Sequence, residues 1–358
     1  MILEIKDKRD ALSWLLSTGE EARKLRQAAH EVKMAHVGNK VYLRALIEYS
    51  NVCRKNCYYC GIRSGNAAVR RYTVGKDEVL QAARFAHQAG FGSLVLQSGE
   101  RQDEAFVRDI EELVDAMMQQ SGGELGITLS LGEQKPETYA RWKKAGAIRY
   151  LLRIETSSPD LYARLHPADH SFQARLDCLK SLRDAGYQVG SGIMIGLPFQ
   201  SPEQVVEDVY FLKEMDVDMV GMGPYIEHPQ TPLWEYRDRI PSKQERYDWS
   251  LNAWALLRLI APDINIASTT AIGSLSPKGR EEALYTAANV IMPNLTPFSC
   301  RKEYFLYEHK ICIEESHEDS RENIERIIRE AGCEPGYFAQ GNSRHFYARF
   351  DTGMQKDS

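Results

Sequence analysis

Residues 41–61 read VYLRALIEYSNVCRKNCYYCG, and the rest of the chain is best interpreted outward from them. The first ten form an apolar run that predicts a buried β-strand. Directly after it come three cysteines, Cys53, Cys57 and Cys60, in a C-x₃-C-x₂-C spacing. Three thiolates on one short loop can bind three irons of a cubic [4Fe–4S] cluster, because such clusters select soft thiolate ligands. The fourth iron would then lack a protein ligand and could bind a small molecule.

Two other interpretations of these cysteines stay open at this point. A structural zinc site usually closes with four protein ligands. No further His or Cys lies close in sequence to supply the fourth, although a distant one could fold back. The cysteines could also be inert buried thiols. Their spacing differs from the C-x₂-C-x₂-C run of bacterial ferredoxins and from the plant-type C-x₄-C-x₂-C, and it favours an open iron–sulfur site.

Composition and charge argue against several classes of protein. The chain has 358 residues, of which 43% are hydrophobic, enough for a sizeable core. Its net charge of −5 and pI near 6.0 give no electrostatic reason to expect nucleic acid or an anionic membrane as a partner. No apolar stretch approaches the roughly 20 residues of a membrane helix, and the N-terminus lacks a signal-peptide apolar region. Seven cysteines, an odd number with three clustered, favour metal over disulfides. We therefore expect a cytoplasmic protein.

After Gly38 the chain alternates between apolar runs and helical patterns. The helical patterns cover residues 76–90, 104–120, 136–146 and 172–186, and several end at a glycine, as helices prefer. Eight strands separated by helices predict a parallel (β/α)₈ barrel of the TIM type, with an open doubly wound sheet as the alternative. The predicted strands are 41–50, 93–98, 126–131, 149–155, 189–197, 217–225, 264–270 and 288–293.

The pattern also predicts how the chain is divided. Residues 1–38 form two amphipathic helices that we expect to close the bottom of the barrel. Residues 39–312 form the barrel. Residues 313–358 are charged and less periodic, apart from a helix near residues 320–331. They predict a C-terminal extension packed on the barrel.

Polar residues stand at the ends of the predicted strands, where the active sites of such barrels lie. Strand two ends in Ser98-Gly99-Glu100, which alone is an ordinary turn. Thr128 and Ser130 lie on one face of strand three, and hydrogen bonds to nearby backbone would suffice to explain them. Arg153 and Glu155 are two residues apart in strand four and so face the same side. They form either a structural ion pair or a site for a zwitterionic ligand.

The cysteine spacing, with the aromatic Tyr59 before the last cysteine, resembles the signature of radical S-adenosylmethionine (SAM) enzymes. The stretches from Leu43 to about Cys312 resemble the HydE family of [FeFe]-hydrogenase maturases, in the group with biotin synthase and methylornithine synthase. This resemblance implies a complete barrel and two cofactors, a [4Fe–4S] cluster on the three cysteines and SAM on its open iron.

The resemblance also assigns further residues to ligands. Arg175, on the helix after strand four, would bind the SAM carboxylate, a task that suits a planar guanidinium. The residues implied in binding SAM are Tyr59, Ser98, Gly99, Glu100, Ser130, Glu155, Arg175, Met194, Tyr225 and Ile226. Those implied in binding substrate are Thr128, Arg153, Thr269, Thr270 and Cys300.

The function implied by the resemblance is reductive cleavage of SAM to a 5′-deoxyadenosyl radical, for assembly of the hydrogenase active site on a small-molecule or small iron-complex substrate. Its implied partners are a reductant such as ferredoxin or flavodoxin and other maturation proteins. The alternative is a HydE-like paralogue that acts on another small substrate, such as an amino acid undergoing rearrangement. A non-catalytic cluster carrier or zinc protein is the alternative of another class. Glu100, Glu155 and Arg175 argue against it, because a carrier needs no zwitterion site.

Three features depart from the family pattern. Ile154 stands where the maturases have His, and Cys300 where they have Tyr. These two departures predict a substrate cavity unlike that of the maturases, and a chain that fails to restore hydrogenase activity. Cys312 fits the first ligand of a second cluster that some maturases hold, but residues 316–321 supply no partner and Cys333 is too distant. We therefore expect no second cluster.

Overall fold

The computed structural model describes residues 3–307 and 317–350, and its sheet closes into a barrel. The strand β1 (Lys40–Ser50) pairs in parallel with β2 (Ser93–Ser98) on one side and with β10 (Val290–Ile291) on the other. Tyr42 lies opposite Val290, which joins the last strand to the first. The intervening strands are β3 (Gly126–Ser130), β4 (Ala147–Leu151), β5 (Gln188–Ser191), β7 (Met219–Val220) and β9 (Asn265–Ser268). The predicted (β/α)₈ barrel is confirmed, and the open sheet is excluded.

Two of the eight strands are interrupted near their carboxyl ends. After a gap of two residues, β5 continues as β6 (Met194–Ile195) and β7 as β8 (Gly223–Pro224), and these two pair with each other. At the gap, a Cβ on Gly192 would lie 2.0 Å from Gly221 O. Only glycine allows so close an approach of two backbones. The two continuous strands predicted here are therefore each divided.

Helices surround the barrel and begin at capping residues. The side chains of Asp103, Ser158, Ser171 and Ser201 each accept a hydrogen bond from a backbone N–H of the first turn. Among the helices of the described residues, none has both the length and the apolar character needed to cross a bilayer. The helices between and after the strands are α3 (Lys76–Gln88), α4 (Glu104–Gln120), α5 (Pro136–Ala145), α6 (Pro159–Leu165), α7 (Phe172–Asp184), α8 (Pro202–Glu214), a 3₁₀ helix (Pro232–Arg239), α9 (Lys243–Ile260), α10 (Thr270–Leu275), α11 (Gly279–Thr286) and α12 (Phe298–Arg301).

The N-terminal helices lie on the side of the barrel. They are α1 (Lys8–Leu15) and α2 (Gly19–His36), and both pack against α9. Arg26 pairs with Asp248 at 2.9 Å, and Asn252 donates to Leu15 O at 3.0 Å. We expected residues 1–38 to close the bottom of the barrel, but these contacts place the helices against its outer layer. The division of the chain at residues 38 and 312 stays a prediction.

The amino-terminal end of the barrel is instead covered by the C-terminal extension. Gln340 O accepts a hydrogen bond from Arg149 at 2.6 Å, and Gly341 O accepts one from Arg44 at 3.0 Å. Both arginines are 1% exposed, so carbonyl groups of the extension satisfy cations inside the lower barrel. The extension contains α13 (His317–Glu330), β11 (Glu334–Gly336), which pairs with the first residues of β1, and α14 (Arg344–Phe350).

His345 of α14 is expected to stabilise the fold in a pH-dependent way. Its ring nitrogens lie 3.1 Å from Asp263 Oδ1 and 2.6 Å from Asp216 Oδ1. The hydrogen bond to Asp263, together with that to Asp216, raises the pKa of His345 from 6.5 to about 9. Because the folded state then binds the proton more tightly than the unfolded state, the stabilisation is complete below pH 6.5 and is lost as pH rises through about 9.

Thermal unfolding of wild type and His345→Gln at both ends of this range measures the effect. We expect the variant to be less stable by about 2 kcal/mol at the lower pH and nearly equal to wild type at the higher pH. His87→Gln is the control, since His87 contacts a single carboxylate, Glu124, at the surface. A His345→Gln deficit that is the same at both pH values would contradict the prediction.

Candidate active site

A cavity of about 350 Å³ opens at the carboxyl ends of the barrel strands. This is the end at which barrels of this type hold their active sites, and the volume is in the range of small-molecule sites. Most of the residues predicted from the sequence line it. They are Cys53, Cys57, Tyr59, Cys60, Ser98, Gly99, Glu100, Ser130, Arg153, Glu155, Arg175, Met194, Tyr225, Ile226, Thr269 and Thr270.

The cysteine loop is held over one side of the cavity by backbone hydrogen bonds. Tyr58 N donates to Leu165 O at 2.9 Å, and Gly61 N donates to Leu306 O at 3.0 Å. The loop also packs closely against the turn after β2, where a Cβ on Gly99 would lie 2.5 Å from Val52 O. The Ser98-Gly99-Glu100 turn therefore needs its glycine to let the cysteine loop approach.

The three thiols fit a cluster better than they fit a single ion. Burial raises the pKa of all three, that of Cys57 to about 12. Three thiolates side by side therefore require a strongly cationic partner, and bound iron supplies one. Within the described residues, no three or more His, Cys, Asp or Glu side chains converge on one point as a mononuclear site requires. Thiolates of a cubane bind different irons and need not converge, so the donor set fits the open cluster.

Six charged side chains form a network beside the cysteines. Glu133 joins two cations, with Lys55 Nζ at 2.7 Å from Oε2 and Arg175 Nε at 2.6 Å from Oε1. Lys55 also lies 3.7 Å from Glu100 Oε1. A separate pair places Arg153 Nη2 at 3.0 Å from Glu155 Oε2. The charges of the three carboxylates and three cations sum to zero, which suits a ligand that carries one charge of each sign.

Two carboxylate oxygens of this network are incompletely satisfied. Glu100 Oε1 and Glu155 Oε2 are buried and lack a well-aligned hydrogen bond, each facing one cation, Lys55 Nζ at 3.7 Å and Arg153 Nη2 at 3.0 Å. Burial raises the pKa of both carboxyl groups. An ammonium that binds beside either oxygen would satisfy it and favour the ionised form of its carboxyl group. Both oxygens therefore fit the amino group of SAM.

Glu155 is held in a strained backbone conformation. Its φ of 68° lies in the left-handed region, which non-glycine residues seldom adopt. Glu155 N donates to Gly192 O at 3.0 Å, and Met194 N donates to Glu155 O at 3.0 Å. These two bonds turn the chain out of the barrel sheet and aim the carboxylate into the cavity. Strain of this kind persists where surrounding structure fixes it, often at functional sites.

Two nitrogens of the Arg175 guanidinium are already hydrogen-bonded to the protein. Besides its contact with Glu133, Nη1 donates to Arg153 O at 2.5 Å. Nη2 makes no hydrogen bond within residues 3–307 and 317–350, and it is the nitrogen available to a carboxylate. Arg175 would therefore contact a SAM carboxylate through one nitrogen, and not through two as the sequence suggested.

An apolar surface continues from the cysteine loop. Tyr225 N donates to Ile195 O at 2.8 Å, which extends the short pairing of β6 with β8. Tyr59 and Met194 pack with Tyr225 in a small hydrophobic cluster of their own. Ile226 is 8% exposed and also lines the cavity. Together they form a surface suited to a flat heterocycle such as adenine.

Comparison with known proteins decides the family. A model described as the radical SAM superfamily matches residues 47–212. The [FeFe] hydrogenase maturase subunit HydE of Thermotoga maritima is 44% identical over 318 residues, covering 89% of this chain and 88% of that protein. The chain belongs to the HydE family of radical SAM enzymes. It is therefore an enzyme that binds a [4Fe–4S] cluster and SAM and uses a reductant and a small-molecule substrate.

More distant relatives share the architecture. The 3-methylornithine synthase of Methanosarcina acetivorans is 27% identical, covering 89% of this chain and 87% of that protein. The solved structure of methylornithine synthase (PylB) has a TM-score of 0.79 at 24% identity, covering 98% of this chain and 96% of that chain. The structure of HydG, a maturase of the [FeFe]-hydrogenase, has a TM-score of 0.78 at 21% identity, covering 97% of this chain and 77% of that chain. At these identities the two structures bear on the fold alone.

The residues that depart from the HydE pattern lie away from the cavity. Ile154 is fully buried in the main hydrophobic core. Cys300 lies on α12, half-buried and packed against that core, and neither residue lines the cavity. Neither residue therefore supports the predicted difference in the substrate cavity, and the substrate role of Cys300 stays a prediction.

Thr128 also lies outside the main cavity. It is 2% exposed and lines a much smaller space deeper in the barrel, beside Arg44 and Met219. Thr269 and Thr270 do reach the main cavity, where Thr270 Oγ1 lies 2.5 Å from Tyr307 OH. Of the three threonines predicted to bind substrate, Thr269 and Thr270 line the main cavity and Thr128 does not.

Several site residues were missed by sequence reasoning. Lys55 lies within the cysteine motif itself, and Glu133 follows Gly132 after strand three, as Glu100 follows Gly99 after strand two. That repeated Gly-Glu pair was a usable signal. Further missed residues line the same cavity, namely Glu48, Arg280, Asn294, Tyr304 and Tyr307. Cys312 lies outside the described residues, and Cys333 accepts a hydrogen bond from Lys33 at 3.2 Å.

Asp208 is expected to position Glu155 without touching a ligand. It is fully buried, and burial raises its pKa to about 6. Asp208 Oδ1 accepts from Ser157 N and Thr156 Oγ1 at 2.5 and 3.1 Å, and Oδ2 accepts from Gln200 Nε2 at 3.1 Å. Asp208→Asn would turn an amide nitrogen toward Gln200 Nε2, another donor. Gln200 cannot flip, because its Oε1 already accepts from two backbone N–H groups.

The expected result is a loss of about 1–3 kcal/mol in stability and weaker SAM binding. Titration calorimetry with SAM, beside thermal unfolding, measures both. Asp160→Asn, at the exposed start of α6, is the control. An Asp208→Asn enzyme that loses stability while binding SAM as tightly as wild type would show that Asp208 is merely structural.

Proposed function

We propose that this enzyme takes part in building the [FeFe]-hydrogenase active site, acting on a small iron complex. The proposal is supported by 44% identity to HydE along nearly the whole length of both proteins. It is also supported by the position of Ile154 and Cys300, because the alternative of a paralogue with another substrate rested on these two residues. Since neither lines the cavity, these two residues no longer favour the alternative.

The observation that carries the catalytic part is the placement of the charge-balanced network beside three cysteines in one cavity. When bound, the reduced cluster supplies the electron that cleaves a C–S bond of SAM and yields a 5′-deoxyadenosyl radical. Cys53, Cys57 and Cys60 would hold that cluster and leave one iron open to SAM.

In this proposal the protein residues bind, orient and shield the reactants. Glu100 and Glu155 accept hydrogen bonds from the amino group of SAM, and Arg175 Nη2 donates to its carboxylate. Tyr59 and Met194 line the side of the cavity that would hold adenine. The position of adenine fixes the direction in which the radical forms. The closed barrel excludes water from the path toward Thr269 and Thr270, so that a reactive species meets substrate rather than solvent.

Genetic complementation tests the assignment of substrate. Expressed in a strain that lacks its own HydE, this chain is expected to restore hydrogenase activity, because it is 44% identical to HydE along nearly its whole length. The matched control is the same chain with Cys57→Ser, which should restore none. Failure of the wild-type chain to complement, with SAM cleavage intact in the purified protein, would favour a different small substrate.

A further inference from the structure

The loop that carries the cysteines has an unusual charge. Residues 51–75, here called the basic loop, connect β1 to α3. They contain no Asp or Glu and five basic residues, Arg54, Lys55, Arg63, Arg70 and Arg71. The loop therefore carries +5 in a chain whose total is −5, so the remainder carries −10. Positive charge is concentrated at the one place where the cluster ligands lie.

Most of this charge is not neutralised by the protein. Only Lys55 turns inward, to Glu133. None of the four arginines has a carboxylate within 4.0 Å in the described part of the chain. Arg63 donates to Asn56 Oδ1 at 2.8 Å and Arg71 to backbone carbonyl groups, so these two brace the loop. Arg54 and Arg70 are exposed to solvent.

In the described part of the chain, the segments that contact the basic loop cancel only part of its charge. Residues 163–171, which contact the loop through Leu165 O, contain one Arg and one Asp. Residues 229–240, which contact it through Leu233 N, contain two Arg, one Glu and one Asp. Both segments are neutral in sum. A third segment, residues 99–104, contacts the loop through Glu100 O and contains one Arg, two Glu and one Asp, so the loop and these three segments together keep a charge of +3 (+5 and −2).

We infer that the basic loop is the docking surface for a small acidic electron-transfer protein, an inference that rests on the proposed SAM-cleaving function. Each turnover needs one electron from outside. The carrier gives up one electron, which reduces the bound cluster by one, and no bond forms or breaks. The loop itself carries the three cysteines, so a carrier docked on it lies near the cluster that they would hold.

Charge complementarity selects an acidic protein as the occupant. The rest of the chain carries −10 in total, so a strongly acidic carrier is attracted to the basic loop and repelled by the net charge of the remainder. Such an arrangement orients the encounter. It also raises the association rate by up to 10–10³-fold at low ionic strength. The repulsion elsewhere makes productive docking the favoured encounter.

The double variant Arg54→Glu/Arg70→Glu tests the surface. Arg23→Glu/Lys180→Glu is the matched control, since it makes the same charge change at exposed positions on α2 and α7. The probe is an acidic flavodoxin, whose binding to each holoenzyme is measured by biolayer interferometry at low and high salt. We expect the loop variant to weaken binding about tenfold or more at low salt, with much less effect at high salt. The control should stay within about twofold of wild type.

Iron content and SAM cleavage driven by dithionite are measured in parallel. Both should match wild type in the loop variant, which shows that fold and cluster are intact. Equal binding by the loop variant and the control would overturn the docking surface. The proposal would also be overturned if wild type bound anionic vesicles or duplex DNA but not flavodoxin, and if the loop variant lost that binding. Absence of dithionite-driven cleavage in wild type would instead overturn the proposed function and leave the binding result to be judged separately.

Discussion

Cys57→Ser is expected to abolish both cluster binding and SAM cleavage. Cys57 is the central cysteine of the motif, and burial raises the pKa of its thiol to about 12, so the site is stable as a thiolate only with bound iron. A serine hydroxyl is a far weaker acid than a thiol, and its oxygen is a harder ligand than sulfur. It therefore replaces the thiolate poorly on iron. Anaerobic reconstitution of wild type should give about four irons per chain. We expect the variant to retain little iron and to form no detectable 5′-deoxyadenosine.

Cys178→Ser is the matched control for this experiment. Cys178 is a half-buried thiol on α7 whose Sγ lies 3.6 Å from Gln134 O, outside the cavity lining. Its replacement should leave iron content and 5′-deoxyadenosine unchanged. A Cys57→Ser protein with the iron content of wild type would contradict the assignment of the cluster ligands.

Glu155→Gln is expected to weaken SAM binding by about 2–4 kcal/mol, or roughly 30- to 1,000-fold in Kd. The side chain is 10% exposed, and its Oε2 faces Arg153 Nη2 at 3.0 Å without a well-aligned hydrogen bond. The amide keeps the shape but removes the negative charge that an ammonium requires. Arg153 would in addition lose its only ion-pair partner in the described part of the chain.

Titration calorimetry with SAM measures the affinity, with Glu137→Gln, at the exposed start of α5, as the control. Glu155 is a sharper test than Arg175, because Arg175 also holds Glu133 and its removal would disturb two groups together. Unchanged affinity in Glu155→Gln would mean that the carboxylate serves only its ion pair with Arg153.

The periodicity of the sequence predicted the barrel because strands buried on both faces are continuously apolar. The prediction for α4 agrees with its observed bounds, since a strong helical period is capped by Asp103. It failed where the backbone leaves regular geometry. The predicted strand 149–155 ends at Leu151, and Glu155 adopts a positive φ that no strand pattern signals.

Site residues that directly follow a strand could be predicted from the sequence. Residues whose role depends on their depth in the barrel, or on pairing with a residue distant in sequence, were harder to predict. Thr128 and Ser130 share a strand face, but two residues of rise place Thr128 about 7 Å deeper, below the cavity. The ion pair of Glu133 with Arg175 joins positions 42 residues apart, and nothing in local sequence encodes it. Cys300 was placed by its motif, whereas the short helix α12 packs it against the core.

The central claim is that three cysteines hold a cluster whose open iron binds SAM. Electron paramagnetic resonance of the dithionite-reduced enzyme, recorded with and without SAM, tests it most directly. We predict the signal of a reduced [4Fe–4S]⁺ cluster, a change in its g values when SAM is added, and slow formation of 5′-deoxyadenosine in the same sample. A signal that SAM leaves unaltered, with no 5′-deoxyadenosine, or a protein that binds stoichiometric zinc and takes up no iron, would contradict the account.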